Sequence, residues 1–180
     1  DKTHSILKDR CFGHSAEIVS QMAEAAAEGL LRGGVLPVMK HIPGHGLAEI
    51  DSHLAAPRTD ASLQMLEDLD FKPFRQLNKM LMGMTAHVVY EDIDPERPGT
   101  ISPAVHKLIR RSIGFEGLLM SDDLSMEALG GNTTSRASAV IGAGCDVVLH
   151  CNGKLDEMQT VTEAVGQMGP KACKRAAEVI

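Results

Sequence analysis

The sequence has few of the features on which nucleic-acid-binding and membrane proteins depend. Among its 180 residues there is no Trp, one Tyr and four Phe, so broad aromatic platforms for stacking on sugar rings are scarce. The net charge is −6 and no basic run occurs, which argues against nucleic-acid binding. No apolar stretch approaches the length that a bilayer-spanning helix needs. The composition therefore predicts a soluble globular domain with neither nucleic acid nor membrane as a partner.

Paired cysteines and nucleotide-binding loops are also missing. The four cysteines form no C-x-x-C pair, which argues against zinc ribbons and thioredoxin-type redox centres. Neither G-x-G-x-x-G nor the P-loop motif occurs, which argues against a doubly wound nucleotide-binding sheet. No signal peptide is recognisable, and a cytoplasmic location with reduced thiols is the resulting expectation.

Apolar segments alternate with helical patterns along the chain, which predicts an α/β fold with a parallel sheet. The predicted strands are Leu36–Lys40, 81–87, Gly117–Ser121 and Asp146–His150. The predicted helices are Ser15–Leu31, Leu63–Lys79 with a break at Pro73, one starting at Ser102 and Pro103 and ending at Gly114, Ser135–Ile141, Leu155–Met168 and Pro170–Ile180. Four βα units correspond to half of a (β/α)8 barrel. The alternative fold for the same pattern is a doubly wound open sheet.

Each predicted strand ends in polar residues, and the loop after the first strand is the richest. Lys40 and His41 end that strand and could donate hydrogen bonds to hydroxyl groups. In Asp51-Ser52-His53 the carboxylate can fix the imidazole tautomer and raise its basicity. His41 and His45 are four residues apart, as in some metal sites, but Pro43-Gly44 between them excludes the helical zinc motif.

Asp122 and Asp123 follow the third predicted strand. Carboxylates at the end of a barrel strand suit a nucleophile or an acid/base catalyst, whereas the alternative is a helix cap or turn. Asp122 is nearer the strand and is expected to face inward, while Asp123 is expected to point away or to cap the next turn. His87 and His150 could line the same rim or be structural, and for His150 the structural interpretation is favoured.

Four motifs occur in one order: K-H-I-P-G-H-G at 40–46, D-S-H at 51–53, M-T-A-H-V-V-Y at 84–90 and G-F-E-G-L-L-M-S-D-D-L-S-M at 114–126. Together they closely resemble glycoside hydrolase family 3, in particular the bacterial cytoplasmic β-N-acetylglucosaminidases (β-N-acetylhexosaminidases) of peptidoglycan recycling. The resemblance implies a TIM-like (β/α)8 barrel. Residues 1–180 would form a single, partial catalytic domain that supplies about the last four βα units, the C-terminal half of the barrel.

The resemblance also implies roles for particular residues. Asp122 would be the nucleophile of a retaining glycosidase, and His53 the acid/base that Asp51 orients. Lys40, His41 and Arg10 would bind the sugar. The substrates would be terminal, non-reducing, β-linked N-acetylglucosamine residues of muropeptides or oligosaccharides, with no metal and no cofactor. Hydrolysis and transfer of the sugar to phosphate would share the same covalent intermediate.

Two other functions remain open at this level. A half-barrel without catalytic activity could bind sugar or assemble with a partner, since the first strands of a barrel have no counterpart in this sequence. A metal-dependent hydrolase could use His41, His45 and His53, in which case the protein would contain stoichiometric metal and be sensitive to chelators.

Overall fold

A computed structural model describes residues 10–48 and 56–179. Its strands are β1 (Val38–Ile42), β2 (Arg58–Thr59), β3 (Met82–Thr85), β4 (Val89–Tyr90), β5 (Leu118–Asp123) and β6 (Val147–Leu149). Four of them form one sheet in the order β1-β3-β5-β6, and every neighbouring pair is parallel. The predicted α/β class with a parallel sheet is thus confirmed. The short β2-β4 pair is a second sheet that the sequence patterns did not predict.

The helices lie before, between and after the strands along the chain; they are α1 (Ala16–Arg32), α2 (Leu63–Asp68), α3 (Phe71–Gln76), α4 (Pro103–Leu108), α5 (Thr133–Ala143), α6 (Leu155–Val165) and α7 (Pro170–Ala177). The predicted start of α4 is confirmed, because the Ser102 side chain accepts a hydrogen bond from the Val105 amide and Pro103 occupies the first turn. A π-helical turn, Ile109–Ile113, extends α4 as far as Gly114, whose φ of 76° ends it.

The predicted break at Pro73 was wrong in position. The helical segment divides earlier, at Leu69 and Asp70, between α2 and α3. Pro73 lies in the first turn of α3, where a backbone N–H has no partner within the helix and its absence costs little.

The core lies between the sheet and its helices. Its largest fully buried side chains include Phe71, Tyr90, Phe115, Ile109 and Leu119. The rings of Phe71 and Tyr90 meet edge to face, with centroids 5.8 Å apart. This packing fixes the strand ends from which the polar residues emerge.

An ion-pair cluster joins several elements at the amino-terminal end of β6. The Asp146 carboxylate accepts hydrogen bonds from Arg110 Nη2 at 2.8 Å, Arg175 Nη1 at 2.8 Å and the Leu119 amide at 2.9 Å. Arg110 belongs to the π-helical turn, Arg175 to α7 and Leu119 to β5. One buried carboxylate therefore connects three segments at the base of the sheet.

The sheet does not close on itself in the described part of the chain. Strands β1 and β6 each pair on one side only. Large apolar side chains are exposed on α1 and just after it, and again near α6; they are Ile18, Met22, Leu30, Leu31, Val35, Leu36, Leu155, Met158 and Met168. Among the described residues, no helix is both long enough and apolar enough to cross a membrane.

Candidate functional site

The polar residues predicted at the strand ends lie along one edge of the sheet. Lys40 and His41 belong to β1, His87 follows β3, Asp122 and Asp123 end β5, and His150 follows β6. Because all four strands are parallel, their carboxyl ends share that edge. In parallel α/β folds this is the edge at which ligands bind.

Asp122 and His41 face each other across the end of β3. His41 Nε2 lies 3.6 Å from Asp122 Oδ2, and the two side chains are 13% and 20% exposed, so both are shielded yet reachable by a small ligand. The other carboxylate oxygen, Asp122 Oδ1, accepts the Asp123 N–H at 2.9 Å. One oxygen of Asp122 is thus held by the backbone, and the other faces the imidazole.

His41 is neutral near pH 7. Burial lowers its pKa to about 4, although the Asp122 carboxylate acts in the opposite direction, and the charges of His45, Lys40 and Arg10 lower the pKa further. The exposed Lys40 and Arg10 are therefore close enough to influence the same imidazole. The structure brings four of the predicted site residues into one neighbourhood.

Asp123 has a different role from its neighbour, as the sequence predicted. Its carboxylate accepts hydrogen bonds from the Ser125 amide at 3.0 Å and the Cys151 amide at 3.0 Å, and from the Ser125 hydroxyl. Burial alone would raise the pKa of Asp123, but these hydrogen bonds outweigh burial and lower it. Asp123 is the last residue of β5, and its side chain fixes the turn that follows.

The other two histidines at this edge are enclosed. His87 is 2% exposed and uses both ring nitrogens, Nδ1 toward Thr100 Oγ1 and Nε2 toward the Asp123 carbonyl. The His150 side chain is 6% exposed, and its Nε2 lies 3.1 Å from Glu157 Oε2 in α6. The location of His150 agrees with the structural interpretation.

The segment after β1 is attached to residues that the sequence did not single out. Tyr90 Oη donates to the Gly44 carbonyl, and the Leu47 amide donates to Asp70 Oδ2 at 3.0 Å. Burial raises the pKa of Asp70, and hydrogen bonds from Leu47 and Gly46 partly offset it. No sequence signal marked Asp70, because this contact joins residues 23 positions apart.

Gly44 and Gly46 allow this attachment by close approach. A Cβ at Gly44 would lie 2.7 Å from Asp70 Cβ, and one at Gly46 would lie 2.9 Å from Asp70 Oδ1. Both glycines therefore permit tight packing against Asp70.

Gly44→Ala is expected to lower the free energy of unfolding by about 1–3 kcal/mol, because the added methyl group overlaps the Asp70 side chain and backbone. Gly29→Ala is the matched control. Gly29 lies in α1 with nothing within 4 Å of the added carbon, so this change should stabilise by up to about 1 kcal/mol. Urea denaturation measures both, and equal effects would contradict the close packing.

Asp51 and His53 lie outside the described residues, so their geometry is not part of the structure. Within 10–48 and 56–179, no group of three His, Cys, Asp or Glu side chains could hold a metal ion. His41 and His45 do come together, with ring centroids 5.8 Å apart. A metal site there would need a further ligand from outside the described ranges.

Comparison with known proteins gives consistent matches over nearly the whole chain. Residues 1–176 match the family profile described as the glycosyl hydrolase family 3 N-terminal domain. A β-hexosaminidase of Idiomarina loihiensis is 34% identical over 178 residues, covering 97% of this chain and 54% of the relative. A β-hexosaminidase of Neisseria meningitidis serogroup C (strain FAM18) is 42% identical over 151 residues, covering 82% of this chain and 42% of the relative.

Solved structures agree with these matches. NagZ from Neisseria gonorrhoeae in complex with N-trifluoroacetyl-D-glucosamine superposes with a TM-score of 0.84 at 36% identity, covering 96% of this chain and 50% of that one. A glycoside hydrolase family 3 β-N-acetylglucosaminidase from Paenibacillus sp. FPU-7 gives a TM-score of 0.84 at 28% identity, covering 97% and 35%. The chain spans about half the length of the curated relatives it matches. It belongs to glycosyl hydrolase family 3, as part of the family's N-terminal domain.

Proposed function

We propose that the protein is a β-N-acetylhexosaminidase that removes terminal, non-reducing, β-linked N-acetylglucosamine. The observation that carries the proposal is the pairing of Asp122 Oδ2 with His41 Nε2 at 3.6 Å, on the carboxyl edge of the sheet. The names of the relatives support it, since they are β-hexosaminidases, and one similar structure holds an N-acetylglucosamine derivative. Release of nitrophenol from nitrophenyl N-acetylglucosaminide by the full-length protein tests it.

Asp122 is the nucleophile in this mechanism. Its carboxylate attacks the anomeric carbon and forms a glycosyl-enzyme ester, while the bond to the leaving oxygen breaks. Water then displaces the carboxylate from the same face that the leaving group occupied, so the configuration is retained. The backbone N–H of Asp123 orients the carboxylate, and the neutral His41 does not tie it into a strong ion pair.

His53 moves the proton in both steps. Its imidazolium protonates the leaving oxygen, and the neutral imidazole later takes a proton from the attacking water. Asp51 supports both states by orienting the ring. These two roles rest on the D-S-H motif and its family resemblance, since both residues lie outside the described ranges.

Lys40, His41 and Arg10 bind the sugar. The ammonium and guanidinium groups donate hydrogen bonds only, and the neutral imidazole donates one while accepting another. Substrates bound this way are muropeptides or oligosaccharides carrying N-acetylglucosamine, and the reaction belongs to cell-wall recycling in the cytoplasm. The family resemblance of the four sequence motifs supports this substrate and this location.

His53→Ala is expected to show a loss of kcat that depends on the leaving group. A poor leaving group such as a sugar alkoxide needs protonation, so kcat should fall by about 10²–10⁴-fold. Nitrophenolate leaves without much assistance, so its glycosylation step should lose far less. His14→Ala, which changes an exposed histidine, is the control and should leave both rates unchanged. An equal loss for both leaving groups would argue against an acid role.

A catalytically silent half-barrel is a second candidate, because the sheet is open at β1 and β6 in the described part and apolar side chains are exposed beside both edges. Size-exclusion chromatography combined with the nitrophenyl assay on the 180-residue chain separates the two functions. A soluble dimer without turnover favours the silent form, and turnover excludes it.

A further inference from the structure

A buried series of hydrogen-bonded polar groups runs from the last residue of β3, Thr85, to the last residue of β5, Asp123. Thr85 Oγ1 lies 2.8 Å from Thr100 Oγ1, which lies 2.7 Å from His87 Nδ1. The other ring nitrogen, His87 Nε2, lies 3.1 Å from the Asp123 carbonyl oxygen. Thr85 and Thr100 are fully buried and His87 is 2% exposed, so water does not compete for these groups.

Which atom donates in each of these hydrogen bonds follows from the groups that can only accept. A carbonyl oxygen only accepts, so His87 Nε2 carries the proton that it donates to Asp123. Burial lowers the pKa of His87, although the nearby Asp123 and Asp122 act to raise it, so the ring is neutral near pH 7 and Nδ1 accepts. Thr100 therefore donates its single hydroxyl proton to Nδ1 at 2.7 Å rather than to the Ala86 carbonyl at 3.1 Å.

Every polar group of Asp123 is thereby engaged. Its carbonyl accepts from His87 and, within its own turn, from the Met126 amide at 3.2 Å. Its carboxylate accepts from Ser125 and Cys151, and its N–H donates to Asp122 Oδ1. Of these contacts, the bond from His87 connects Asp123 to the segment that follows β3, the strand between those of Asp122 and His41. The direction of the Asp123 N–H depends on this frame.

We propose that His87 is a positioning residue for catalysis, which holds Asp123 so that its N–H stays directed at the Asp122 carboxylate. The inference rests on the proposed role of Asp122 as nucleophile. Losing the bond from His87 leaves the Asp123 carbonyl with the 3.2 Å bond from the Met126 amide of its own turn. The contact from the side of β3 is then gone, so the Asp123 N–H holds Asp122 less firmly in its orientation toward the anomeric carbon. Sugar binding by Lys40 and His41 on β1 is unaffected, so the loss falls on kcat rather than on KM.

Two substitutions of His87 by amide side chains distinguish the hydrogen bond at Nε2 from the one at Nδ1. A glutamine amide reaches the position of Nε2, so His87→Gln retains a donor for the Asp123 carbonyl. An asparagine amide reaches only the position of Nδ1, so His87→Asn retains the Thr100 contact and loses the Asp123 contact. Both variants bury an amide of similar polarity, which makes each the control for the other.

The experiment measures kcat, KM and the Asp123 amide proton shift in the full-length protein and in both variants. We expect His87→Asn to lower kcat by about 10–100-fold with KM little changed, because the nucleophile is misdirected. His87→Gln should stay within about fivefold of the parent, since the donor is restored. The amide shift, which reports the bond to Asp122, should move in His87→Asn and return toward the parent value in His87→Gln.

The Asp123 amide shift can be measured without turnover, so it tests the role of His87 independently of the proposed function. If the parent protein shows no turnover, the proposed function fails, and the Asp123 amide shift alone decides the positioning role. The proposal is overturned if His87→Asn lowers the urea midpoint but leaves the amide shift unchanged, or leaves kcat unchanged in an active protein, because His87 would then be structural only.

Discussion

Asp122→Ala is expected to lower kcat for nitrophenyl N-acetylglucosaminide by at least about 10³-fold, because no other group replaces the attacking carboxylate. A nitrophenyl substrate needs little proton assistance, so the remaining barrier is the formation of the covalent bond itself. The change should leave the fold intact, since within residues 10–48 and 56–179 the Asp122 side chain is hydrogen-bonded only to the adjacent amide and faces His41.

Azide tests the same role by chemical rescue. The space left by the carboxylate lies on the face of the sugar opposite the leaving group, so azide bound there should displace nitrophenolate in one step. The product is then the α-glycosyl azide, of inverted configuration, which nuclear magnetic resonance identifies. Asp60→Ala, which removes an exposed carboxylate, is the control and should behave as the parent protein. Parent-like turnover by Asp122→Ala would remove Asp122 from the mechanism.

Asp146→Ala is expected to lower the free energy of unfolding by about 3 kcal/mol, at the low end of the range for buried pairs that lose one partner. The Asp146 side chain is 5% exposed, and its loss removes the acceptor of Arg110 Nη2 and of the Leu119 amide, although Arg110 Nη1 keeps the Phe115 and Gly117 carbonyls. Arg110 and Arg175 are 17% and 18% exposed, so partial solvation reduces the cost below that of a fully enclosed pair.

The control for this prediction is an ion pair on the surface. Glu28 and Arg32 pair within α1 with side chains 60% and 77% exposed, so Glu28→Ala should not change the free energy of unfolding measurably. Urea denaturation of both variants gives the comparison. Similar midpoints for Asp146→Ala and the parent protein would show that the cluster at the base of the sheet does not contribute to stability.

Sequence patterns predicted the features that depend on local chemistry. The four strands of the main sheet, the cap at Ser102 and the stop at Gly114 follow from apolar runs and from residues that satisfy or end a helix. The neighbourhood of Lys40, His41 and Asp122 could be inferred as well, because parallel strands end at one edge of the sheet. The prediction that Asp123 would cap the next turn followed from its position one residue after Asp122, although β5 extends through both residues.

Contacts between distant segments could not be predicted in this way. Asp70 accepts a hydrogen bond from Leu47 in the segment after β1, and Asp146 pairs with Arg110 and Arg175 rather than with other arginines of the chain. His87 shows the same limit, since a lone histidine after a strand gives no indication of which carbonyl its ring will contact. These pairings depend on the order of strands and the docking of helices, which no local pattern encodes.

Strand β5 contacts the Asp146 ion-pair cluster near one end and carries the proposed nucleophile, Asp122, near the other. The Leu119 amide bonds to Asp146 at the base, and Asp122 stands three residues further on, about 10 Å away for an extended strand. Substitutions that far apart and without shared partners usually combine additively. Heat tolerance and substrate range can therefore evolve, or be engineered, as separate traits: changes around α7 adjust the first, and changes at the carboxyl edge adjust the second.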